Sequence, residues 1–246
     1  MECKLTYLYP DLLNLYGDRG NVAAAMRTAG QMGVDLTVSR VDDLDAPIDF
    51  SGSDLLLLSP GELSTFPLII ERLQRDRDAL QAYIEAGGYI LALGSSACIF
   101  AGEVRRIFRP SYKGLGIGRY DCAEREAAYG DDLIFTCTPA GVERKVAGSQ
   151  IQMIDLLPKE GCEVFGHLLY GYGNNHTDGE GTRYKNLITT NTLGPLFVKN
   201  PWFFADILRD ILVRKGAEAP ELPDFPLETD SLAAVEAFNL SKKSEL

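Results

Sequence analysis

Histidine, tryptophan and cysteine are scarce in this chain. Two histidines (His167 and His176), one tryptophan and five cysteines stand among 246 residues. The cysteines (Cys3, Cys98, Cys122, Cys137 and Cys162) are scattered and odd in number, and no Cys-x-x-Cys pair occurs. That pattern argues against a zinc site and a disulfide framework, and for reduced thiols buried in a core. No apolar run reaches the roughly 18–20 residues that a membrane-spanning helix needs. No basic segment followed by an apolar one opens the sequence, so the expectation is no signal peptide, a cytoplasmic location and no membrane insertion. Positive charge is short too: Lys+Arg 24 against Asp+Glu 35 leaves a net charge of −11. A broad nucleic-acid surface needs a positive field, and so does adhesion to anionic lipid; both are disfavoured.

What remains is ordinary globular material, 46% hydrophobic and 24% charged, enough for one large domain or two small ones. No internal repeat is present. Strand-like and helix-like stretches alternate. Lys4–Tyr9 reads as a strand, Asn21 as the cap of a helix over Val22–Met32, Gly33 as its end, and Val34–Ser39 as a second strand. Asp54–Ser59, centred on Leu55–Leu58, has the short apolar run of a buried parallel strand. Pro67–Glu85 reads as one long amphipathic helix, with Leu68, Ile69, Leu73, Leu80 and Ile84 inward and Arg72, Arg75, Asp76, Arg77 and Asp78 largely outward. Tyr89–Leu93 is another buried strand, and Gly94-Ser95-Ser96 a tight turn into a helix starting near Ala97.

The second half is more strand-rich: Leu133–Thr138, Lys145–Ile154, Glu163–Leu169 and Asn186–Asn191, with a Gly/Asn/Asp loop over Gly171–Gly181 and a closing helix over Pro201–Lys215. The order predicts an α/β fold with a doubly wound, mostly parallel sheet and helices on both faces. From Gly216 the composition turns to proline and acid. Residues 1–215 are therefore expected to form the domain, and 216–246 a Pro/acidic linker ending in a short amphipathic tail, Ser231–Leu240.

Ligands of open parallel sheets bind beyond the carboxyl ends of the strands, which points to the loops after Leu8, Leu58 and Leu93. Strand, small-residue turn and helix is the layout of a nucleophile elbow, yet its apex here is Gly94, which has no side chain to react. Ser95 and Ser96 suit helix capping, and a serine nucleophile needs a base that a third group positions. Cys98, between apolar neighbours, reads as core. His167 reads as a strand histidine and His176 as a surface-loop histidine.

Three segments carry a resemblance. Leu8-Tyr9-Pro10-Asp11-Leu12-Leu13-Asn14-Leu15-Tyr16-Gly17-Asp18-Arg19-Gly20-Asn21 resembles the opening signature of GatD-type, CobB/CobQ-like class I glutamine amidotransferase subunits. Gly171-Tyr172-Gly173-Asn174-Asn175 with Arg183-Tyr184-Lys185-Asn186 matches their second signature, and Gly194-Pro195-Leu196 with Lys199-Asn200-Pro201 their third. The resemblance spans roughly residues 3–215. It implies a flavodoxin-like glutaminase domain without a cofactor, paired in a heterodimer with a MurT-type Mur ligase that amidates the lipid II stem peptide of peptidoglycan. In such a subunit a cysteine attacks the glutamine amide, an oxyanion hole steadies the intermediate and a histidine moves the proton.

The departures cluster. The family's elbow reads approximately Ala-(Ile/Val)-Cys-Gly-Gly-Tyr-Gln, where this chain has Ala92-Leu93-Gly94-Ser95-Ser96-Ala97-Cys98, so the cysteine position falls on Gly94. The histidine before Gly-Pro-Leu is Leu193. The oxyanion loop is Ser59-Pro60-Gly61-Glu62-Leu63-Ser64, the Gly-(Phe/Tyr)-Glu-x-His segment is Gly148-Ser149-Gln150-Ile151-Gln152, and Ala127-Ala128-Tyr129-Gly130-Asp131 lacks the family's arginine. The expectation is a pseudoenzyme with no catalytic residue, its pocket lined by Gly61, Glu62, Ser95, Ser96, Gln150 and Gln152. The alternatives are a working glutaminase using Cys98 or Ser95 with His176, or a small-molecule sensor.

Overall fold

The computed structural model describes residues 1–243. Its parallel core is built from β1 (Glu2–Leu8), β2 (Asp35–Val41), β3 (Leu55–Leu58) and β4 (Tyr89–Leu93). A short edge pair, β5 (Glu103–Arg105) and β6 (Tyr112–Lys113), comes next. Two long strands, β7 (Tyr120–Cys137) and β8 (Arg144–Pro158), form an antiparallel hairpin. β9 (Glu163–Tyr170), β10 (Gly179–Tyr184) and β11 (Leu187–Thr190) complete the eleven strands of the described residues. Strand order is β2-β1-β3-β4-β11-β10-β9-β7-β5-β6, with β8 paired to β7. The first five run parallel. That is the flavodoxin-like order, and it sets the loops after β1 and β3 side by side at the switch point.

The period-2 alternation of side chains divides the core. Leu56, Leu58, Ile90 and Ala92 pack against α2 (Phe66–Gln74) and α3 (Arg77–Glu85) on one face. Leu55, Leu57, Leu91 and Leu93 face α1 (Gly20–Gln31), α4 (Leu196–Lys199) and α5 (Pro201–Arg214) on the other. The expected doubly wound sheet with two helical layers is therefore present.

Several local expectations are corrected. The single helix Pro67–Glu85 is two helices, broken at Arg75–Asp76, where Asp76 leaves helical backbone at φ −106° and ψ 11°. Arg72, expected outward, is buried and drives the break. Its guanidinium holds Leu44 O, Ala46 O at 2.9 Å and Asp76 Oδ2 at 2.6 Å. Leu68, expected inward, is exposed. The helix expected from Ala97 is only a 3₁₀ turn, Gly94–Ile99. It stops because other donors take the carbonyls a helix would use. Leu115 N–H bonds to Ile99 O, Gly116 N–H to Ala101 O, Gly118 N–H to Phe100 O and the Tyr120 hydroxyl to Ala97 O.

Asn21 does not cap its own helix. α1 starts at Gly20 with no side-chain cap, and Asn21 Oδ1 accepts the Phe197 N–H at 2.8 Å, capping α4 from 176 residues away. Gly33 ends α1 as expected, at φ 68°. The tail expected at Ser231–Leu240 lies inside a longer helix, α6 (Pro226–Lys243). It folds back on the domain through Arg27–Glu228, Lys145–Glu236 and an Asn239 Nδ2 bond to Asp132. No helix of the described residues is long and apolar enough to cross a membrane.

Asn200 shows how the third signature serves the fold. Fully buried, it accepts the Ala147 N–H at 2.9 Å and donates to Ala147 O at 2.8 Å and Leu196 O at 3.0 Å. Its amide extends the ladder of β8 and ties the strand to α4 and α5. Removing it strands buried peptide groups, each costing roughly 1–3 kcal/mol. Asn200→Ala is expected to lower unfolding free energy by about 2–4 kcal/mol in urea titration with an unchanged m-value. A loss below about 1 kcal/mol would contradict this role.

Candidate functional site

The loops after β1, β3 and β4 meet, as the topology requires, around a cavity of about 440 Å³. Leu15 and Tyr16 come from the first loop, Pro60–Ser64 from the second and Ser95 from the third. β8 closes one side with Ile151, Met153 and Ile154, and the loop after β11 supplies Asn191 and Leu193. Of the expected pocket residues, Gly61, Glu62 and Ser95 line this cavity.

Gly94 turns the chain at the end of β4 with φ 55°, a backbone region that only glycine enters freely. A Cβ built there would lie 3.0 Å from Leu193 Cδ2 and 3.4 Å from Pro60 Cβ. The elbow and the loop after β11 thus face one another as an elbow and its base would. The side chains are hydrogen and isobutyl.

The remaining nucleophile candidates are occupied or elsewhere. Ser95 Oγ donates to Gly61 O at 2.6 Å and accepts the Gly61 N–H at 3.2 Å, so its proton is committed to a carbonyl and no base reaches it. The same bond consumes an amide of the loop where oxyanion donors would lie. Ser96, fully buried, sets its hydroxyl between Leu93 O at 2.9 Å and Leu58 O at 3.2 Å, bracing the turn. Cys98 is fully buried beside Cys122, whose thiol is pushed well up by burial and then by that neighbour. His176 is not a lining residue; it packs edge-on against Tyr172 at 4.9 Å in a loop where Asn175 and His176 both have positive φ. His167 is exposed on β9, 3.5 Å from Asp178.

Gln150 and Gln152 lie off the cavity. Alternation along β8 sends Ile151 and Met153 toward it and the two glutamines into a buried network. Gln150 bonds to Gln152 and to Tyr172 O, Gln152 bonds to Asp155, and Asp155 pairs with Arg125. Arg125 stacks on the Tyr172 ring at 4.0 Å. The second signature, through Tyr172 and the Asn175 N–H that bonds to Asp155 at 3.3 Å, is part of this network rather than of the cavity wall.

The chain is similar along most of its length to two curated proteins. One is the Staphylococcus aureus (strain N315) protein named lipid II isoglutaminyl synthase (glutamine-hydrolyzing) subunit GatD. It is 25% identical over 237 residues, 96% of this chain and 93% of the relative. The other, of the same name, is from Streptococcus pneumoniae (strain ATCC BAA-255 / R6), with 26% identity over 231 residues, 91% of this chain and 86% of the relative. This is a GatD-like chain. No family model matches it. Among solved structures it resembles PurLQS from Thermotoga maritima, with TM-score 0.57, 12% identity, and coverage of 87% of this chain and 100% of that one. It also resembles a glutamine amidotransferase, with TM-score 0.52, 16% identity, and coverage of 82% and 97%. These likenesses show the class I glutamine amidotransferase fold.

The GatD-like chain also holds site residues that no motif announced. Arg106 and Glu124 pair inside the cavity wall at 2.7 and 3.3 Å, and the Arg106 bond holds the Glu124 carboxyl below its usual range. Arg106 further reaches Leu63 O at 3.3 Å, pinning the loop after β3. The pairing joins residues 18 apart, and only the β5–β7 register brings them together. Asp18 is legible in the first signature, but not its burial. It is fully buried, and neither oxygen has a hydrogen-bond partner. Burial pushes its carboxyl from 3.8 up to about 7, against the opposing pull of Ser59 and Asn21 nearby. Ser59 is itself tied to the Tyr7 hydroxyl at 2.8 Å.

An acid with a raised folded-state pKa keeps its proton longer when folded. Between about pH 4 and 7 the folded chain binds more protons than the unfolded one at Asp18. Its contribution is fully present below the unfolded pKa and is lost as pH rises through the folded one, at about 1.4 kcal/mol per unit of separation. Asp18→Asn should therefore gain stability relative to the parent on going from pH 5 to pH 8. Calorimetric melting at both pH values checks this, and a pH-independent difference would refute it.

Proposed function

We propose that this chain is a GatD-like amidotransferase-family subunit without glutaminase chemistry, working in the cytoplasm as a heterodimer with a MurT-type Mur ligase. Its role is in lipid II amidation or the regulation of that step. The partner and pathway follow from the likeness to the GatD subunits. One observation carries the loss of chemistry: Gly94 faces Leu193 where a glutaminase needs a thiol beside a base. The bond from Gly61 N–H to Ser95 supports the same reading, since one lost oxyanion donor costs about 2.7–4 kcal/mol of transition-state stabilisation. Nothing favours the displaced-residue alternative, in which Cys98 or Ser95 would act with His176. The thiol is buried, the hydroxyl is engaged and the imidazole is not in the cavity wall.

Purified protein should release no ammonia from glutamine above buffer background, alone or with the ligase. Co-expression with a MurT-type chain should yield a stable complex whose ligase step runs on free ammonium. Glutamine-dependent turnover, lost on Cys98→Ala or Ser95→Ala, would refute the pseudoenzyme reading. Failure of the two chains to co-purify would refute the partner.

Restoring the two lost side chains is not expected to restore activity. Cys at position 94 must take up φ 55°, with its Cβ 3.4 Å from Pro60 Cβ, and the oxyanion loop stays bound to Ser95. The double variant Gly94→Cys, Leu193→His, with folding verified by melting, should show no measurable glutaminase. Turnover at the level of an intact glutaminase would mean that the surrounding site is still competent.

A further inference from the structure

The long strand β8 has one paired edge and one edge that is closed only in part. β7 lies along one side of it. On the other side, the Asn200 side chain takes both backbone groups of Ala147, at 2.9 and 2.8 Å. Leu193 takes both of Ser149, the N–H at 3.1 Å and the C=O at 2.8 Å. Backbone groups along an antiparallel strand face its two sides alternately. Ala147 and Ser149 therefore turn theirs away from β7, and Gln150 and Gln152 turn theirs toward it. Ile151 shares the outward phase. Its N–H and C=O point away from Gly130, its neighbour on β7, and meet no partner among the described residues. Met153 comes next in that phase, where the β7–β8 register shifts between Glu124 and Tyr129.

The chain that closes Ser149 does not follow the edge further. Asn191 gives its N–H to Glu180 at 2.6 Å, and β11 pairs with β4. The edge thus opens onto the cavity, which Ile151 and Met153 both line. Native sheets blunt open edges with charge, proline or a covering element. Gln150–Met153 has neither charge nor proline. Apolar surface gathers there instead. Ile151 is exposed, as is Tyr16, another lining residue. Ile107 and Phe108, between the lining residues Arg106 and Arg109, are exposed too, Phe108 at 69%.

We propose that the open edge of β8 takes an extended segment of the ligase partner as an added strand. A main chain carries donors and acceptors at the strand spacing of Ile151 and Met153, and strand addition draws its affinity from such bonds. The segment's residues on the face of Ile151 are apolar, because side chains on one face of neighbouring strands pack together. The edge opens into a cavity rather than along a flat rim. A slender segment of another protein enters such a place, whereas the same recessed edge of a second copy does not. This inference rests on the heterodimer reading and says how the partner grips this chain.

Hydrogen exchange resolved to single amides tests it on the full chain, free and in complex with the co-expressed MurT-type ligase. In the free chain the Ile151 and Met153 amides should exchange fast, and those of Gln150 and Gln152, which face β7, slowly. In the complex the Ile151 and Met153 amides should slow by roughly tenfold or more. Ile151→Pro removes the outward N–H, a change that an edge strand accommodates. It should weaken the complex roughly tenfold, the scale of one carbonyl left without its donor, whereas Ile151→Val should bind as the parent does. A stable complex in which both amides still exchange fast would overturn the added strand and leave the partner standing. A folded Ile151→Pro that binds as tightly as the parent would do the same. If that variant does not melt cooperatively, the exchange of the parent decides alone. Protection of Ile151 in the free chain that grows with its concentration would give the edge to a second copy and overturn the proposal. Failure of the two chains to co-purify would overturn the partner reading, and this inference with it.

Discussion

β4 reaches the cavity as a fully buried strand and turns at Gly94 with positive φ, and Leu193 on the loop after β11 closes over that turn. The chemistry open to the rest of the molecule depends on this contact. A parallel sheet of this order gathers its loops at one edge, so whatever stands at the end of β4 becomes the centre of any site. With hydrogen at one position and an isobutyl group at the other, the centre is apolar. The polar groups around it have found other partners: Ser95 with the Gly61 peptide, Arg106 with Glu124 and Leu63, and Ser96 with the carbonyls of the turn.

The retained signatures have structural work that does not require catalysis. Asn21 caps α4 and Asn200 extends β8, so the first and third signatures hold α1, α4 and α5 against the sheet. Asn174 Nδ2 donates to Gly181 O at 2.7 Å, and Tyr172 joins the Gln150 and Arg125 network, so the second signature fixes the hairpin β7–β8 against β9 and β10. A scaffold can keep these residues after its active site has gone, because each satisfies buried backbone groups that would otherwise be costly. The frame that would seat a partner can therefore persist without the reaction.

What was legible in the sequence follows from the range of the forces involved. β1, β3 and β4 announce themselves through apolar runs, and α5 through Pro201 and its apolar face. The middle of β7 is hidden, because Glu124–Asp132 is made of polar and small residues and its pairing with β8 is interrupted by a register shift between Glu124 and Tyr129. β10 is hidden in a run of glycine and polar residues that reads as loop. The break between α2 and α3 could not be read from periodicity, since a buried arginine reaching Leu44 O and Ala46 O causes it. At the site, Gly94, Leu193, Gly61 and Ser95 were readable from spacing and resemblance. Asn191, Arg109 and the Arg106–Glu124 pair were not, because only the folded register brings them to one cavity. Gln150 and Gln152 lie off the cavity for a simpler reason: over Gln150–Met153 the strand's alternate residues face opposite sides, and the lining ones there are Ile151 and Met153.

The central claim is that no side chain of this site can attack a glutamine-like carbonyl. It is tested most directly by intact-mass spectrometry of the folded protein after exposure to an electrophilic glutamine analogue, a diazoketone that alkylates a competent glutaminase nucleophile. The account predicts an unchanged mass with the analogue in excess, alone and in the presence of a MurT-type ligase. A single stoichiometric adduct mapped to Ser95 or Cys98 would contradict it.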